Sequence, residues 1–312
     1  MAAPILYRWD DDEAPVARGQ RDSLIEMLTA CLVNGYGTKP AAGWTLEYVN
    51  VDKTMAAFRN NPITGTGFYL QVDGAGGKND YEPHCQGFEV MTSFADGLLP
   101  FATLAQDMKI SSAAGTTARP WVIIADDRAF YCFTWPTGTT TKIPSMTLFQ
   151  SASMHFGDDI PLHSDDEFCC SLGAHQYGNV GALGPVSSLS GSAYSSNWYP
   201  RNRGGATGGI NRCIVPAGGP AGSLSYMGGP PHGDYTDGDP IYIARPFFYD
   251  DETYKIRGWP AGLYQPLHKI LNTPFTHLET RVVDGTTYLY MVVYQAGGNK
   301  GCVLISLDDW RV

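Results

Sequence analysis

The stretch RPWVIIADDRAFYCFTW, residues 119–135, decides the fold class of this chain. An apolar and β-branched run from Trp121 to Ala125 is followed by Asp126-Asp127, and a second such run extends from Ala129 to Trp135. Aromatic and β-branched side chains favour strands, and aspartate tolerates turn conformations. The stretch therefore predicts a β-hairpin with its turn at Asp126-Asp127.

Strand patterns recur on both sides of this hairpin. WTLEYVNVDKTMAAFRN predicts two strands around Asp52-Lys53, and single strands are predicted in GTGFYLQVDG, CQGFEVMTSF and TLFQSASMHF. Near the end of the sequence, Asp284-Gly285 predicts a hairpin turn and AGGNKG (residues 296–301) predicts a second. Three antiparallel strands are therefore expected at about residues 278–283, 287–294 and 302–307.

The composition agrees with a chain built from strands and turns. It contains 36 glycines, 18 tyrosines and 7 tryptophans in 312 residues. The strands do not alternate with helices, which argues against a parallel α/β architecture. The predicted fold class is mainly β, with antiparallel sandwich or barrel-like units, one N-terminal amphipathic helix and a long glycine-rich loop region.

The helix is predicted in QRDSLIEMLTACLVNG, residues 20–35. Its apolar residues recur with the 3.6-residue period of one helix face: Leu24, Ile25, Leu28, Cys31 and Leu32. Ser23 and Glu26 have the spacing of a capping box. Asn34-Gly35 stands where a C-terminal cap is expected, and Pro40 prevents the helix from resuming.

Changes in composition predict three segments. Residues 1–176 are expected to form an N-terminal helix and β domain, and residues 240–312 a C-terminal antiparallel β unit. Between them, residues 177–239 are rich in glycine and aromatic residues, and only NRCIVPA and GSLSYM within them resemble strands. A connection of this length is unusual unless it has a function or is covered by a partner.

The charge and the apolar pattern limit the classes of partner. The net charge is −10 and the sequence contains no run of Lys or Arg, so a nucleic-acid partner is not expected. No apolar stretch approaches the roughly 18–20 residues of a transmembrane helix, so no membrane partner is expected. The N-terminus lacks the pattern of a secretion signal, which predicts folding in a cytoplasm.

The seven cysteines are scattered and form no CxxC pair. They are Cys31, Cys85, Cys132, Cys169, Cys170, Cys213 and Cys302. This pattern favours buried free thiols, while disulfides or a metal site remain alternatives.

The stretch CLVNGYGTKPAAGW, residues 31–44, resembles a phosphate-binding loop at first sight. Such a loop requires glycines and a lysine at the start of a helix, where unpaired N–H groups and the positive end of the dipole face the phosphate. Here Gly35, Gly37 and Lys39 follow a helix. The stretch is therefore interpreted as a helix C-cap and a turn that leads to Trp44.

The stretch MHFGDDIPLHSDDEFCCSLGAH, residues 154–175, concentrates residue types that bind metals or catalyse reactions. It contains three histidines and, close to them, Asp158, Asp159, Asp165, Asp166, Glu167, Cys169 and Cys170. It lacks the HExxH spacing of a zinc site, and the acidic residues are interpreted as a solvated loop, with a structural Ca²⁺ site as the alternative. The sequence also lacks GxSxG. No catalytic, cofactor-binding or metal-binding residue is assigned, and no cofactor is expected.

Several motifs together resemble a family of structural proteins from tailed bacteriophages and prophages. The resemblance begins with YRWDDDEAPVARGQRDSLIEMLTACLVNGYGTKPAAGWT (residues 7–45) and continues with MAAFRN, GTGFYLQVDG and ARPWVIIADDRAFYCF. It also includes HFGDD (residues 155–159) and RGWPAGLYQPLH (residues 257–268), and it is weakest in residues 177–239. The resemblance implies a virion component.

The expected function is therefore structural and not enzymatic. The chain is expected to be a subunit of the tail, baseplate or connector region of a tailed phage, assembled in the cytoplasm of the host bacterium. Its partners would be other copies of itself and neighbouring virion proteins, with glycine-rich and aromatic surface buried between subunits. The alternatives are a capsid decoration protein, a glycan- or receptor-binding virion module, and a hydrolase of cell-wall sugars that uses the acidic residues between Asp158 and Glu167.

Overall fold

The chain folds into a mainly β structure in which antiparallel sheets dominate. The computed structural model describes residues 3–77, 79–94, 96–101, 106–140, 151–163, 170–175, 197–201, 207–214, 232–234, 241–250, 256–266, 268–271, 277–296 and 299–311. One helical segment lies in these ranges. It begins as α-helix α1 (Ser23–Leu28) and continues as a π-helix (Thr29–Asn34).

The strands extend over both halves of the chain. Those of the first half are β1 (Ile5–Arg8), β2 (Ala17–Gly19), β3 (Thr45–Val49), β4 (Met55–Arg59), β5 (Tyr69–Asp73), β6 (His84–Ser93), β7 (Asp96–Pro100), β8 (Gln106–Asp107), β9 (Gly115–Arg119), β10 (Trp121–Ala125), β11 (Ala129–Thr134) and β12 (Ala152–Asp158). Those of the second half are β13 (Ile160–Pro161), β14 (Cys170–His175), β15 (Asn197–Arg201), β16 (Thr207–Ile214), β17 (His232–Asp234), β18 (Ile243–Ala244), β19 (Phe247–Asp250), β20 (Ile256–Trp259), β21 (Leu263–Pro266), β22 (His268–Leu271), β23 (Glu279–Val283), β24 (Thr286–Ala296) and β25 (Asn299–Ser306).

A ten-stranded antiparallel sheet forms the centre of the molecule, in the order β1-β10-β11-β12-β14-β15-β16-β19-β20-β13. The predicted hairpin is confirmed as β10 and β11, with Trp121 opposite Thr134 and Ala125 opposite Phe130. All residues of β10, β11 and β12 are buried. Strands covered on both faces carry continuous apolar runs, which explains why this stretch lacks alternation.

One face of the central hairpin packs against an N-terminal layer. That layer contains the helical segment and a six-stranded sheet of β3 to β8. Leu24 and Leu28 of the helix, Phe58 and Leu70 of the sheet, and Ile123 of β10 all belong to one buried cluster. The apolar face predicted for the helix is therefore directed towards this core.

The other face of the hairpin packs against a C-terminal layer. Val122, Ile124 and Tyr131 of the hairpin share a second buried cluster with Leu263 of β21 and Ile305 of β25. The three closing strands are confirmed as β23, β24 and β25, and Asp284 and Gly285 both have positive φ in the turn between β23 and β24. The molecule therefore has three layers with the central sheet in the middle.

The predicted helix is confirmed, but the predicted capping box is wrong. Asp22 precedes the first helical residue, Ser23, and makes no side-chain cap bond. The Arg18 guanidinium instead contacts the carboxylates of Asp22 and Glu26, at 2.9 and 2.6 Å. Because Glu26 is engaged by this arginine, it does not reach back to the helix terminus.

The stretch that resembles a phosphate loop is a helix end and a turn, as interpreted from the sequence. Gly35 has φ of +76°, and its N–H donates to the carbonyl of Ala30 at 2.8 Å. Lys39 Nζ donates to the carbonyl of Leu6 at 2.8 Å and lies 3.5 Å from the Asp11 carboxylate. The lysine therefore joins the turn to β1.

The glycine-rich segment contributes strands to the central sheet. The strand resemblance of NRCIVPA corresponds to the end of β16, while β15 has no counterpart in the sequence prediction. GSLSYM lies outside the described residues. The central sheet contains strands from all three predicted segments, 1–176, 177–239 and 240–312. The segment boundaries themselves remain a prediction.

Candidate functional site

Several motifs of the family resemblance meet at the turn between β10 and β11. We call this cluster the hairpin junction, and it consists of Trp44, Asn60, Asn61, Thr66, Asp126, Asp127, Arg128 and Asp158. Its members come from the residues after the helix, the loop between β4 and β5, the turn of the hairpin and the end of β12. They are therefore distant in sequence and are brought together by the fold.

Asp158 is the most extensively bonded carboxylate of the hairpin junction and is only 2% exposed. Its Oδ1 accepts hydrogen bonds from Thr66 Oγ1 at 2.7 Å and from Asn60 Nδ2 at 2.9 Å. Its Oδ2 accepts the main-chain N–H of Thr66 at 2.9 Å and lies 3.4 Å from Arg128 Nε. This environment compensates a buried negative charge with one cation and three neutral donors.

Asp126 closes the hairpin turn on itself. Its Oδ1 accepts the N–H groups of Arg128 and Ala129 at 2.9 and 2.7 Å, and its carbonyl accepts Trp44 Nε1 at 2.8 Å. Burial raises the pKa of the Asp126 carboxyl, and the Arg311 guanidinium, with Nε 3.5 Å from Oδ2, opposes that rise. The turn that was predicted from two aspartates is therefore fixed by the first of them.

Asp127 connects the same turn to the loop after β4. Its carbonyl accepts the N–H of Asn61 at 2.9 Å, and its Oδ2 accepts Asn61 Nδ2 at 3.1 Å. Thr64 Oγ1 also donates to Oδ2. The two aspartates of the turn therefore have different partners: the first bonds within the hairpin and to Trp44, and the second bonds to the N-terminal layer.

Asp159, next to Asp158, belongs to a separate polar group on the other face of β12. Its Oδ1 lies 3.0 Å from His155 Nε2, and its Oδ2 accepts Ser171 Oγ at 2.6 Å. His155 Nδ1 lies 3.1 Å from the carbonyl of Phe130, and the Tyr131 ring stacks on the imidazole at 4.6 Å. His155, Asp159 and Ser171 therefore form one buried hydrogen-bonded group.

Gly157, immediately before these two carboxylates in the sequence, allows β12 to approach β11 closely. Its φ is +134°, and a Cβ placed there would lie 2.3 Å from the carbonyl oxygen of Arg128 and 2.4 Å from Cα of Ala129. Both obstacles are backbone atoms, so they cannot move aside as a flexible side chain would. The glycine of the HFGDD motif is therefore required by the packing of the two strands.

The structure corrects the interpretation of this acidic stretch as a solvated loop. Asp158 and Asp159 are buried, whereas Asp165, Asp166 and Glu167 lie outside the described residues. Successive residues of a strand point to opposite faces of the sheet. Because the central sheet is covered on both faces, the two adjacent carboxylates at the end of β12 are buried on opposite sides of it. The sequence signal that could have indicated this was the continuous apolar run of the neighbouring β11 strand.

The buried groups form an arrangement suited to packing. Ser171 donates to the Asp159 carboxylate and not to the imidazole, which differs from a Ser-His-Asp triad, in which the serine hydroxyl donates to the histidine. His155, Asp159 and Ser171 are each at most 1% exposed, which closes this group to solvent. Within the described ranges, no set of three His, Cys, Asp or Glu residues is arranged to hold a metal ion.

The cysteines whose side chains the structure describes are free and buried, as predicted for them. They are Cys31, Cys85, Cys132 and Cys170. Burial raises the pKa of each thiol, so these groups are unreactive as nucleophiles. The side chains of the other three cysteines are outside the description, and their redox state remains a prediction.

His277 is a buried histidine in the C-terminal layer, packed edge-on against Trp135 at 5.5 Å. Burial, assisted by the nearby Arg8 charge, lowers the pKa of His277 to about 3. The native histidine is therefore neutral over a range in which the unfolded one becomes protonated. Because the unfolded state then binds more protons, stability falls as the pH falls from about 6.5 towards 3, by at most about 1.4 kcal/mol per pH unit.

We expect the stability of His277→Gln to depend less on pH than that of the parent chain. Between pH 7.5 and pH 5, the parent should lose about 2 kcal/mol more than the variant, as measured by urea unfolding at both pH values. His163→Gln is the control, since His163 is exposed. An equal pH dependence in the parent chain and His277→Gln would contradict the assignment.

Comparison with known proteins identified no relative of this chain. A scan of protein-family models and a search of curated proteins both found no match to this chain. Among the described residues, no helix has the length and apolar character needed to cross a membrane.

Proposed function

We propose that this chain is a structural subunit of a tailed-bacteriophage virion, in the tail, baseplate or connector region, and that it acts by assembling with other subunits. Its partners in this proposal are further copies of itself and neighbouring virion proteins. Assembly would take place in the cytoplasm of the host bacterium. The proposal comes from the resemblance of the sequence motifs to phage structural proteins and from the location of those motifs in the fold.

The location of the motifs is the observation that carries the proposal. Trp44, Asn60, Asp126 and Asp158 come from four motifs of the resemblance and meet in the hairpin junction. Residues that several proteins share because they react with a substrate are expected at a surface that the substrate can reach. Residues that are shared because they build a fold are expected inside it. These four residues are buried, as expected of residues that build a fold, which supports a role in architecture.

The proposal is tested by locating the protein. Mass spectrometry of purified particles of a phage that carries this sequence should find the chain at a fixed copy number per particle. A copy number that scales with the capsid surface would favour the capsid decoration protein. Absence from the particles would overturn the proposal. Binding of the purified chain to a sugar array would support the glycan-binding alternative.

A second prediction concerns residues 177–239, whose glycine-rich and aromatic composition suggests a surface buried by a neighbouring subunit. We expect limited proteolysis to cleave this segment outside strands β15 and β16 in the purified chain and to spare it in intact particles. Peptide mapping after the same protease exposure gives the comparison. Equal cleavage in both samples would show that neighbouring subunits do not cover the segment.

A further inference from the structure

The central sheet has an edge strand on each side, β1 and β13. Among the described residues, β1 pairs only with β10, and β13 pairs only with β20. An edge strand carries main-chain N–H and C=O groups that can pair with a strand of another chain. On both of these strands, specific residues obstruct such pairing.

The main-chain groups of β1 that point away from β10 belong to Leu6 and Arg8. The N–H of Trp9 donates to the carbonyl of the first residue of β10 at 3.2 Å, and bonding to the partner strand alternates along an antiparallel strand. The carbonyl of Leu6 accepts Lys39 Nζ at 2.8 Å. The N–H of Arg8 donates to Asp11 Oδ2 at 2.8 Å, and its carbonyl accepts the N–H of Asp11 at 3.2 Å. Two side chains and a local turn therefore occupy these outward groups.

The turn of residues 35–40, which we call the edge turn, brings Lys39 to this edge. Tyr36 and Lys39 exchange two main-chain hydrogen bonds, at 3.0 and 2.8 Å. Tyr7, the β1 residue between the two outward ones, donates its hydroxyl to the carbonyl of Pro40 at 2.8 Å. The edge turn is therefore closed on itself and attached to β1 through both Lys39 and Pro40.

Asp11 joins the edge turn to the chain that follows β1. Its Oδ2 accepts the hydroxyl of Tyr36 at 2.9 Å, and its Oδ1 lies 3.5 Å from Lys39 Nζ. The carbonyl oxygen of Asp12 would lie 2.6 Å from a Cβ at Gly37, whose φ is +51°. A glycine at this position therefore allows the edge turn to pack closely against the residues after β1.

The other edge of the central sheet is obstructed in a simpler way. β13 has only two residues, Ile160 and Pro161. The N–H of Leu162 donates to the carbonyl of Arg257 at 2.7 Å, so the residues on either side of Pro161 bond towards β20 and Pro161 points away from it. Because proline has no N–H, the outward position of this strand offers no donor to a further strand.

We propose that the edge turn is a protective cover that prevents strand addition at β1, so that folded copies of this chain do not join through the central sheet. Very short edge strands, lysines and prolines at an edge, and covering loops are means by which β proteins avoid edge-to-edge association. This chain combines them, with Lys39 and Asp11 at one edge and Pro161 at the other. The inference is independent of the proposed function, because it concerns the folded chain by itself.

A double variant that keeps the net charge tests this cover. Asp11→Ala combined with Lys39→Met removes the two side chains that bond the outward groups of β1, and it leaves the net charge at −10. Sedimentation velocity of the folded variant is measured from about 2 to 200 µM. We expect self-association at least about tenfold stronger than that of the parent chain, the factor for one or two net main-chain hydrogen bonds.

Two control variants accompany the double variant. Asp52→Ala combined with Lys53→Met makes the same two changes at exposed residues in the turn between β3 and β4, and should associate as the parent does. Lys39→Arg keeps a side-chain donor for the carbonyl of Leu6 and should also behave as the parent.

Hydrogen exchange locates the association. Exchange of the amides of residues 5–8 should slow as the concentration of the double variant rises, because a strand of another copy then accepts their outward N–H groups. A loss of stability alone would speed exchange and would not depend on concentration, so this measurement separates a protective cover from a merely structural contact.

Three results would overturn the protective cover. They are unchanged association of the double variant, an equal increase in the control at Asp52 and Lys53, and association without slower exchange in residues 5–8. If the double variant does not fold, Lys39→Met alone is compared with Lys53→Met, since the Lys39 side chain is 31% exposed and its loss disturbs no core packing. Association of Lys39→Met no stronger than that of Lys53→Met would then overturn the proposal.

Discussion

Replacement of Asp158 by alanine is expected to lower the free energy of unfolding by about 3 kcal/mol, because several hydrogen-bond donors lose a buried charged acceptor. The substitution removes the acceptor of two Thr66 donors and the anion beside the Arg128 guanidinium. The Asn60 amide loses its bond to Asp158 and keeps the one to the carbonyl of Arg128 at 3.1 Å. Each buried donor that loses its partner carries a desolvation penalty of about 1–3 kcal/mol. The loss should therefore exceed that of a surface carboxylate many times over.

Urea unfolding at pH 7 measures this effect. Asp52→Ala is the control, because Asp52 lies exposed in the turn after β3 and should change stability by no more than about 0.5 kcal/mol. Asp158→Asn keeps the shape but presents an amide N–H₂ group to donors, so we expect a loss between those of the other two variants. A loss below about 1 kcal/mol for Asp158→Ala would show that the hairpin junction does not hold the layers together.

Gly157→Ala is expected to destabilise the chain by about 4 kcal/mol or more, because a steric clash adds to backbone strain. The added Cβ would overlap the carbonyl oxygen of Arg128 and Cα of Ala129, and would force β12 away from β11. That displacement would also loosen the bonds of Asp158 and Asp159, the two residues that follow Gly157. The effect combines a local clash with damage to two polar groups.

Gly115→Ala separates the two causes of the Gly157 effect. Gly115 has φ of +139°, close to the +134° of Gly157, but a Cβ at Gly115 would meet no atom within 4 Å. The Gly115 variant should therefore lose only the strain of a positive φ, about 1–3 kcal/mol. Thermal unfolding of both variants gives the comparison. Equal losses of stability in the two variants would mean that the clash between β12 and β11 contributes nothing to the effect of Gly157→Ala.

The local features of the fold were predictable from the sequence. An apolar run, a pair of aspartates and a second apolar run determine the hairpin of β10 and β11 within 17 residues, residues 119–135. The turn at Asp284-Gly285 is similarly local, because both residues adopt the positive φ that the turn needs. The helix followed from the spacing of Leu24, Leu28 and Leu32. In each case the residues that determine the element are neighbours in the chain.

The features that the sequence did not reveal depend on distant partners. Glu26 has the spacing of a capping box, but Arg18 engages it in the folded chain. β15 carries little local strand signal and is specified by its position between β14 and β16. Asp158 and Asp159 were interpreted as solvated because nothing beside them in the sequence indicates their contacts with residues 60–66 and with the neighbouring strand β14.

The candidate site could not be predicted from the sequence for the same reason: its residues are distant in the chain. The motifs MAAFRN and HFGDD could be recognised as distinctive, but their contact could not be predicted, because Asn60 and Asp158 are 98 residues apart. No periodicity links such positions. Their contact follows from the stacking of three layers, which is a property of the whole chain.

The position of β1 at the edge of the central sheet has a consequence for synthesis on the ribosome. Ile5 pairs with Ala125, so the first strand of the chain has no partner until about 120 further residues have been made. At about 5–20 residues per second, this wait lasts roughly 6–24 seconds. During that time an apolar strand with unpaired backbone groups is exposed to other nascent chains. Slow translation of this region should therefore increase aggregation, and a chaperone that binds short apolar segments should reduce it.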